Sequence, residues 1–273
     1  MVEQKRTVAV VGLGLIGASL ALALKGKYRV WGCSRSPETE ELALSRGYID
    51  EVRAIENLRG ADCVVICSPL DSVKQTAERV YEAVGNTAII TDAGSVKSML
   101  EGLSGRVVGG HPMAGNEKSG LHAARADLFE NAYYCVVPYK NSLPADVEFV
   151  KEMASAAGAK PVVLSAKEHD LLAADYSHMP HMCAYAMSLA AIGERVNIAG
   201  SGFLDSTRIA CSNPDFWTEV FRLNRENTLE SLGKFTESLE KMKKLLEGED
   251  YGALRDILAA ARQKRIELGE KSV

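Results

Sequence analysis

Two rhythms of apolar and polar positions divide this chain. In the first part, short apolar runs rich in β-branched residues recur at 7–11, 28–33, 63–67 and 87–91, then again at 107–108, 133–138 and 160–164. Helix-forming stretches lie between them at 18–25, 38–46, 72–84 and 145–157. Strands alternating with helices of this length predict a parallel, doubly wound sheet whose ligands gather at the carboxyl ends of the strands. After Ser165 the rhythm changes. Ser165 and Glu168 stand three apart as a capping box, and no convincing strand follows. A helical pattern runs to about residue 191 with Pro180 inside it, where the ring should kink the helix and free a carbonyl. A short segment at 204–211 precedes Asn213-Pro214, a helix start. Leu229, Leu232, Leu239, Met242 and Leu246 then recur at helical spacing on a long polar helix, a stripe suited to core packing or to a second subunit. A final amphipathic helix covers 250–267.

The strand ends carry the candidate chemistry. Gly12-Leu13-Gly14-Leu15-Ile16-Gly17 follows the first strand at once and opens a helix. In that context the first glycine allows a tight turn, the second lets a pyrophosphate approach, and the third lets helix and strand pack closely. The free N–H groups of the helix start then hold the diphosphate. The fold class is therefore α/β: a Rossmann-type dinucleotide-binding domain over 1–165, then an all-helical domain over 166–273. The second strand ends in Ser34-Arg35-Ser36, where an NAD-binding fold places an acidic residue for the ribose hydroxyl. A hydroxyl and a guanidinium suit a 2′-phosphate instead, which favours NADP with NAD as the second option. A solvated surface arginine is the plainer alternative. Ser68-Pro69 ends the third strand, and Ser95 follows the fourth within Asp92-Ala93-Gly94-Ser95-Val96-Lys97.

His111 stands between Gly109-Gly110 and Pro112, in a stretch that reads as a loop after strand 107–108. The glycines there should let a ligand approach the backbone. Gly12, Ser68, Ser95 and His111 all fall on one rim of the expected sheet. His178 and His181, three apart around Pro180, share a helix face. No His-Glu-x-x-His pattern or acidic third ligand accompanies them, so no metal is expected.

Composition narrows the class. The 273 residues carry 32 basic and 36 acidic side chains with no basic tract, which argues against nucleic acid and anionic membranes as partners. Six cysteines form no Cys-x-x-Cys pair and read as reduced, buried small hydrophobes. Lys5-Arg6 before an apolar stretch imitates a signal peptide, but three glycines at turn spacing interrupt it. The expectation is a soluble, cytoplasmic protein.

Taken together, Val11 to Gly17, Asp92 to Lys97, Gly110-His111-Pro112-Met113-Ala114-Gly115, Ser177-His178-Met179-Pro180-His181 and Gly202-Phe203-Leu204-Asp205-Ser206-Thr207-Arg208-Ile209-Ala210 resemble the prephenate/arogenate dehydrogenase family of tyrosine biosynthesis. The resemblance spans nearly the whole chain. It implies oxidative decarboxylation of prephenate or arogenate, with hydride passing to NAD(P). His111 would be the general base and Ser95 would bind the same hydroxyl. Arg208 would hold substrate carboxylate, with His181, His178 and Ser177 lining the pocket and Asn116 and Glu117 near the substrate side chain. Trp217 matches a pocket aromatic, although a helix tryptophan serves equally as core. A homodimer through the helical domain is implied, and the chain's end after that domain leaves no room for a regulatory ACT domain. Rival readings are a β-hydroxyacid dehydrogenase or imine reductase, which lack the His111-Pro112 stretch, and a non-catalytic NADP-binding sensor.

Overall fold

The computed structural model describes residues 5–115, 119–191 and 198–270. The chain alternates β1 (Thr7–Val11), α1 (Leu15–Leu24), β2 (Arg29–Cys33), α2 (Pro37–Ser45) and the short β3 (Glu51–Val52). It continues through β4 (Cys63–Ile66), α3 (Val73–Val84), β5 (Ile89–Asp92), β6 (Arg106–Pro112), β7 (Tyr133–Pro138), α4 (Pro144–Ala156) and β8 (Lys160–Val163). One eight-stranded sheet results, in the order β3-β2-β1-β4-β5-β6-β7-β8. The chain winds outward from β1 to β3 and returns at β4, so the end of β1 lies at the switch point where a crevice opens.

Alternating side chains explain why these strands read as continuous apolar runs. Val8 and Val10 of β1 and Cys63 and Val65 of β4 join one core layer, with Leu20 and Leu24 of α1 and Phe149 and Met153 of α4. Ala9, Val11, Val64 and Ile66 face the opposite layer, with Val73, Ala77 and Val80 of α3. A strand covered on both faces has no polar side to show.

Two expectations fail at the far edge of the sheet. β7 pairs antiparallel to β6, with His111 opposite Cys135, and β8 pairs parallel to β7. The sheet is thus mixed rather than parallel. No crossover helix stands between β6 and β7 among the described residues, only a single helical turn at Leu121–Ala123, so the chain turns back on itself. His111 is also not in a loop. It lies inside β6, and the glycines before it serve packing rather than ligand approach. A Cβ on Gly109 would sit 2.7 Å from the Tyr139 hydroxyl, and one on Gly110 would strike the Asp92 carbonyl and lie 2.6 Å from the Tyr134 hydroxyl.

After β8, Ser165 and Glu168 form the expected capping box at the start of α5 (Ala166–Ala173). The chain then passes through a π-helical turn, Ala174–His178, into α6 (Met179–Ala190). Pro180 falls in the first turn of α6, directly after the π-helical turn. The expected break therefore takes the form of a widened turn just before the proline. α7 (Ser201–Thr207) leads through the short turn Arg208–Cys211 to α8 (Pro214–Leu223), which Asn213 caps. The chain divides into two compact units, Met1–Arg225 and Glu226–Val273. The second holds nearly all of α9 (Arg225–Glu247) and α10 (Tyr251–Glu270). The cysteines are free, but not uniformly buried: Cys33, Cys63 and Cys135 are in the core, while Cys211 is exposed. No helix among the described residues is long and apolar enough to cross a membrane.

Candidate active site

The β1–α1 turn has the shape its glycines predict. Gly12 has φ of +101°, and a Cβ there would lie 2.5 Å from the Cys67 carbonyl oxygen. A Cβ on Gly17 would strike the Gly12 carbonyl, so the third glycine lets helix and turn touch. Gly14 differs: nothing lies within 4 Å of the place its Cβ would take. It is the N-cap of α1, has no side-chain cap, and no acidic residue occupies the first turn. Open space beside uncapped amides with no carboxylate fits an anionic diphosphate. Leu13 and Leu15 are buried in the core and Ile16 packs against it, so only their backbone is available there.

Ser34, Arg35 and Ser36 close the end of β2. Arg35 is exposed. Ser36 caps α2 by accepting the Thr39 N–H at 3.2 Å, and its own N–H bonds to the Ser34 hydroxyl at 3.2 Å. The sequence places no carboxylate at this strand end, yet the fold brings one back. Glu40 of α2 accepts the Ser34 N–H at 2.8 Å. Ser68 lies 3.5 Å from the Thr76 hydroxyl, and the Pro69 carbonyl accepts the Ser72 N–H at 2.9 Å in a tight turn beyond β4.

His111 occupies the centre of a buried polar chain. Its Nδ1 lies 2.8 Å from His169 Nε2, and His169 Nδ1 lies 2.8 Å from Asp170 Oδ1. Asp170 also accepts the Lys97 N–H at 2.7 Å and the Ser98 N–H at 2.9 Å. Burial raises the Asp170 carboxyl, but these bonds more than offset it and hold the group below the ordinary carboxylate range. An ionised carboxylate only accepts, so His169 must donate from Nδ1. With Nδ1 donating, Nε2 is the His169 ring nitrogen left to accept, and His111 donates to it from Nδ1. The lone pair of His111 is thereby left on Nε2. Burial, then the neighbouring His169, Lys97 and His178, push the His111 pKa well below its ordinary value, so the ring is neutral.

Lys97 ties this chain to the Ser95 loop. Its Nζ pairs with Asp92 and donates to the Gly110 carbonyl at 2.5 Å, and both charged side chains are fully buried. Asp92 in turn accepts the Gly94 N–H at 2.8 Å and the Gly110 N–H at 3.0 Å. The half-buried Ser95 is thus held on a loop braced against β6. Val96 packs with Leu70, Trp217 and Val220, which brings α8 to the same place.

The helical residues converge on Trp217. The His181 ring stacks on it at 3.5 Å between centroids, and His178 meets it edge-on at 6.0 Å. Trp217 is buried and packs with Leu70, Val96 and Val220, so it is part of the core. His181 Nδ1 lies 2.9 Å from the Ser177 carbonyl one turn back. Asn224 donates to the Asp170 carbonyl at 2.7 Å and lies 3.1 Å from His178 Nδ1. His178 is buried with no partner for Nε2 among the described residues, and burial lowers its pKa to about 4. Arg208 is exposed, and its charge adds to burial in holding the His181 pKa down. Asn116 and Glu117 lie outside the described residues. Sequence reasoning missed His169, Asp170, Lys97 and Asp92; the last two stood inside a recognised motif, while His169-Asp170 had no motif to mark it.

Known proteins resemble this arrangement over the whole chain. A family model described as the nucleotide-binding domain of prephenate dehydrogenase matches residues 19–163, and one described as its dimerization domain matches 165–260. The chain belongs to the prephenate dehydrogenase family. The prephenate dehydrogenase of Bacillus subtilis is 34% identical, over 97% of this chain and 76% of its own length. Among solved structures, an Aquifex aeolicus prephenate dehydrogenase in complex with hydroxyphenyl propionate and NAD+ has a TM-score of 0.89 at 31% identity, covering 98% of this chain and all (100%) of that one. A Synechocystis arogenate dehydrogenase has a TM-score of 0.83 at 31% identity, covering 96% of this chain and 99% of that one.

Proposed function

We propose that the chain is a dehydrogenase of tyrosine biosynthesis that oxidatively decarboxylates prephenate, arogenate or both. The observation that carries this reading is the Asp170–His169–His111 chain, which leaves an unprotonated Nε2 on a neutral histidine beside the Ser95 loop. NAD or NADP, with its diphosphate on the α1 amides near Gly14, would accept the hydride. His111 Nε2 takes the proton of the ring hydroxyl as the hydride leaves the carbinol carbon. Ser95 hydrogen-bonds the same oxygen and orients it. Loss of the ring carboxylate as CO2 passes its electron pair into the ring, which becomes aromatic, and His111 returns the proton to the phenol oxygen. Arg208 holds a substrate carboxylate, and His181, stacked on Trp217, lines the pocket with His178 and Ser177. Asn116 and Glu117 stay assigned to the substrate side chain on the resemblance alone.

Arg35 and Ser34 favour the 2′-phosphate of NADP, because a guanidinium presents paired donors to phosphate oxygens. The functional boundary falls at 165/166, with 166–273 serving substrate and dimerisation. The test is steady-state turnover of prephenate and arogenate, each with NAD and with NADP, together with Arg35→Ala. Arg35→Ala should weaken NADP by about one to two decades and NAD far less. Equal losses would remove Arg35 from the phosphate site, and no turnover of either substrate would leave a cofactor-binding protein.

A further inference from the structure

The carboxylate folded back onto the β2–α2 turn has a place in cofactor choice. Glu40 lies on the first turns of α2, and its Oε1 accepts the Ser34 N–H at 2.8 Å. The turn is short and braced: Ser36 Oγ caps α2 and also donates to Glu38 at 3.0 Å. It begins at Cys33, whose carbonyl accepts the Gly12 N–H at 2.8 Å, so the turn is one hydrogen bond away from the glycine loop. With a diphosphate on the α1 amides, an adenosine ribose falls at this strand end. That placement rests on the dinucleotide reading above.

We propose that Glu40 sets the preference between NAD and NADP, acting against Arg35. The two cofactors differ here by a hydroxyl against a phosphate, and the two groups have opposite hydrogen-bonding characters. A ribose 2′-hydroxyl donates, and an ionised carboxylate has acceptor sites to spare after taking one N–H. NAD therefore binds with Glu40 in place. A 2′-phosphate only accepts, carries negative charge, and meets an amide that Glu40 already occupies. NADP must displace Glu40 from Ser34 N–H, at the cost of bringing two anions together, while the exposed Arg35 supplies the compensating cation. A strand end without an acidic residue in sequence thus retains the discriminating carboxylate in space.

Equilibrium titration of NAD and of NADP without substrate tests this on the wild type, Glu40→Gln, Glu40→Ala and Arg35→Ala. Glu40→Ala should tighten NADP and weaken NAD, each roughly tenfold, the scale of one charge-assisted hydrogen bond. Glu40→Gln keeps an acceptor for Ser34 N–H and should shift the ratio in the same direction by less. Glu40 variants that weaken both cofactors equally, or alter neither, overturn the proposal and reduce Glu40 to a brace of the turn. Arg35→Ala separates the two readings. A loss confined to NADP, with a flat Glu40 series, discards Glu40 alone. Equal losses from Arg35→Ala, or a wild type that binds neither cofactor, discard the ribose-site reading itself.

Discussion

With His111 as the proposed base, a proton on the wrong imidazole nitrogen would leave this site without one. Asp170 sets that proton, because as an acceptor-only group it fixes His169, and His169 fixes His111. Asp170→Asn keeps the shape but loses one acceptor, because Oδ1 takes both His169 Nδ1 and the Lys97 N–H while Oδ2 takes the Ser98 N–H. With the amide nitrogen in the Oδ1 place, the Lys97 bond is forfeited and a donor faces His169. His169 then donates to His111, and the His111 proton moves to Nε2. Turnover should fall by about 10²–10⁴, mainly in kcat, as for His111→Asn itself. In the wild type, kcat/KM should decline only below pH ~6.5, because protonation of a ring whose pKa is held below the ordinary histidine value removes the base. A near-normal kcat in both variants would move the base elsewhere. With Arg208 as the proposed carboxylate ligand, Arg208→Ala should act differently, raising KM by the equivalent of roughly 1.5–3 kcal/mol, since that pairing precedes any proton movement. The sequence marks His111, Ser95 and Arg208 through their motifs, and the proposed mechanism rests on them. His169 and Asp170 are adjacent helix residues whose spacing carries no message; only burial against Lys97 and His111 gives them a task. Glu40 was hidden for a similar reason, because a side chain reaching back six residues leaves no trace in strand order.

Among the elements, most strands and helices through β5 could be read within a few residues, since apolar period and glycine punctuation report local structure directly. The direction of β7 could not, because periodicity says which face a residue takes and nothing about strand polarity. β6 was cut short for another reason: glycines that serve close packing look the same in sequence as glycines that serve a turn. The junction of α5, the widened turn and α6 has an energetic consequence of its own. It buries His178, whose folded-state pKa of about 4 lies below the unfolded value near 6.5. In that window the unfolded chain binds more protons, so stability is full above pH ~6.5 and falls as pH drops toward 4. The loss attributable to His178 approaches roughly 3 kcal/mol at the lower end. Urea unfolding from pH 8 down to 5 should show this decline, and His178→Asn should flatten it while lowering stability near neutrality. An identical pH slope in the variant would assign the acid sensitivity to other groups.

At the scale of the whole molecule, α10 poses the question. Its 20 residues form a helix, yet none of its described side chains is buried within the chain. Leu258 is 54% exposed and Tyr251 60%. An isolated helix of this length is marginal in water, and helices gain most of their stability from covering an apolar face. α9 shows the same deficit: Leu229 and Leu239 are each 52% exposed and Leu246 57%, three members of the stripe visible in the sequence. Exposed apolar side chains repeated along two helices mark a surface meant to be covered, and the family model matched over residues 165–260 is described as a dimerization domain. A second copy of this chain is therefore the expected cover. Light scattering should give twice the 29.5 kDa chain mass at micromolar concentration. Leu239→Glu with Leu246→Glu places like charges on the covered face of both copies and should shift the mass toward the monomer, with a lower Tm for the helical unit. A fully active monomeric wild type, or a double variant that stays dimeric with unchanged Tm, would mean that this stripe is not the interface.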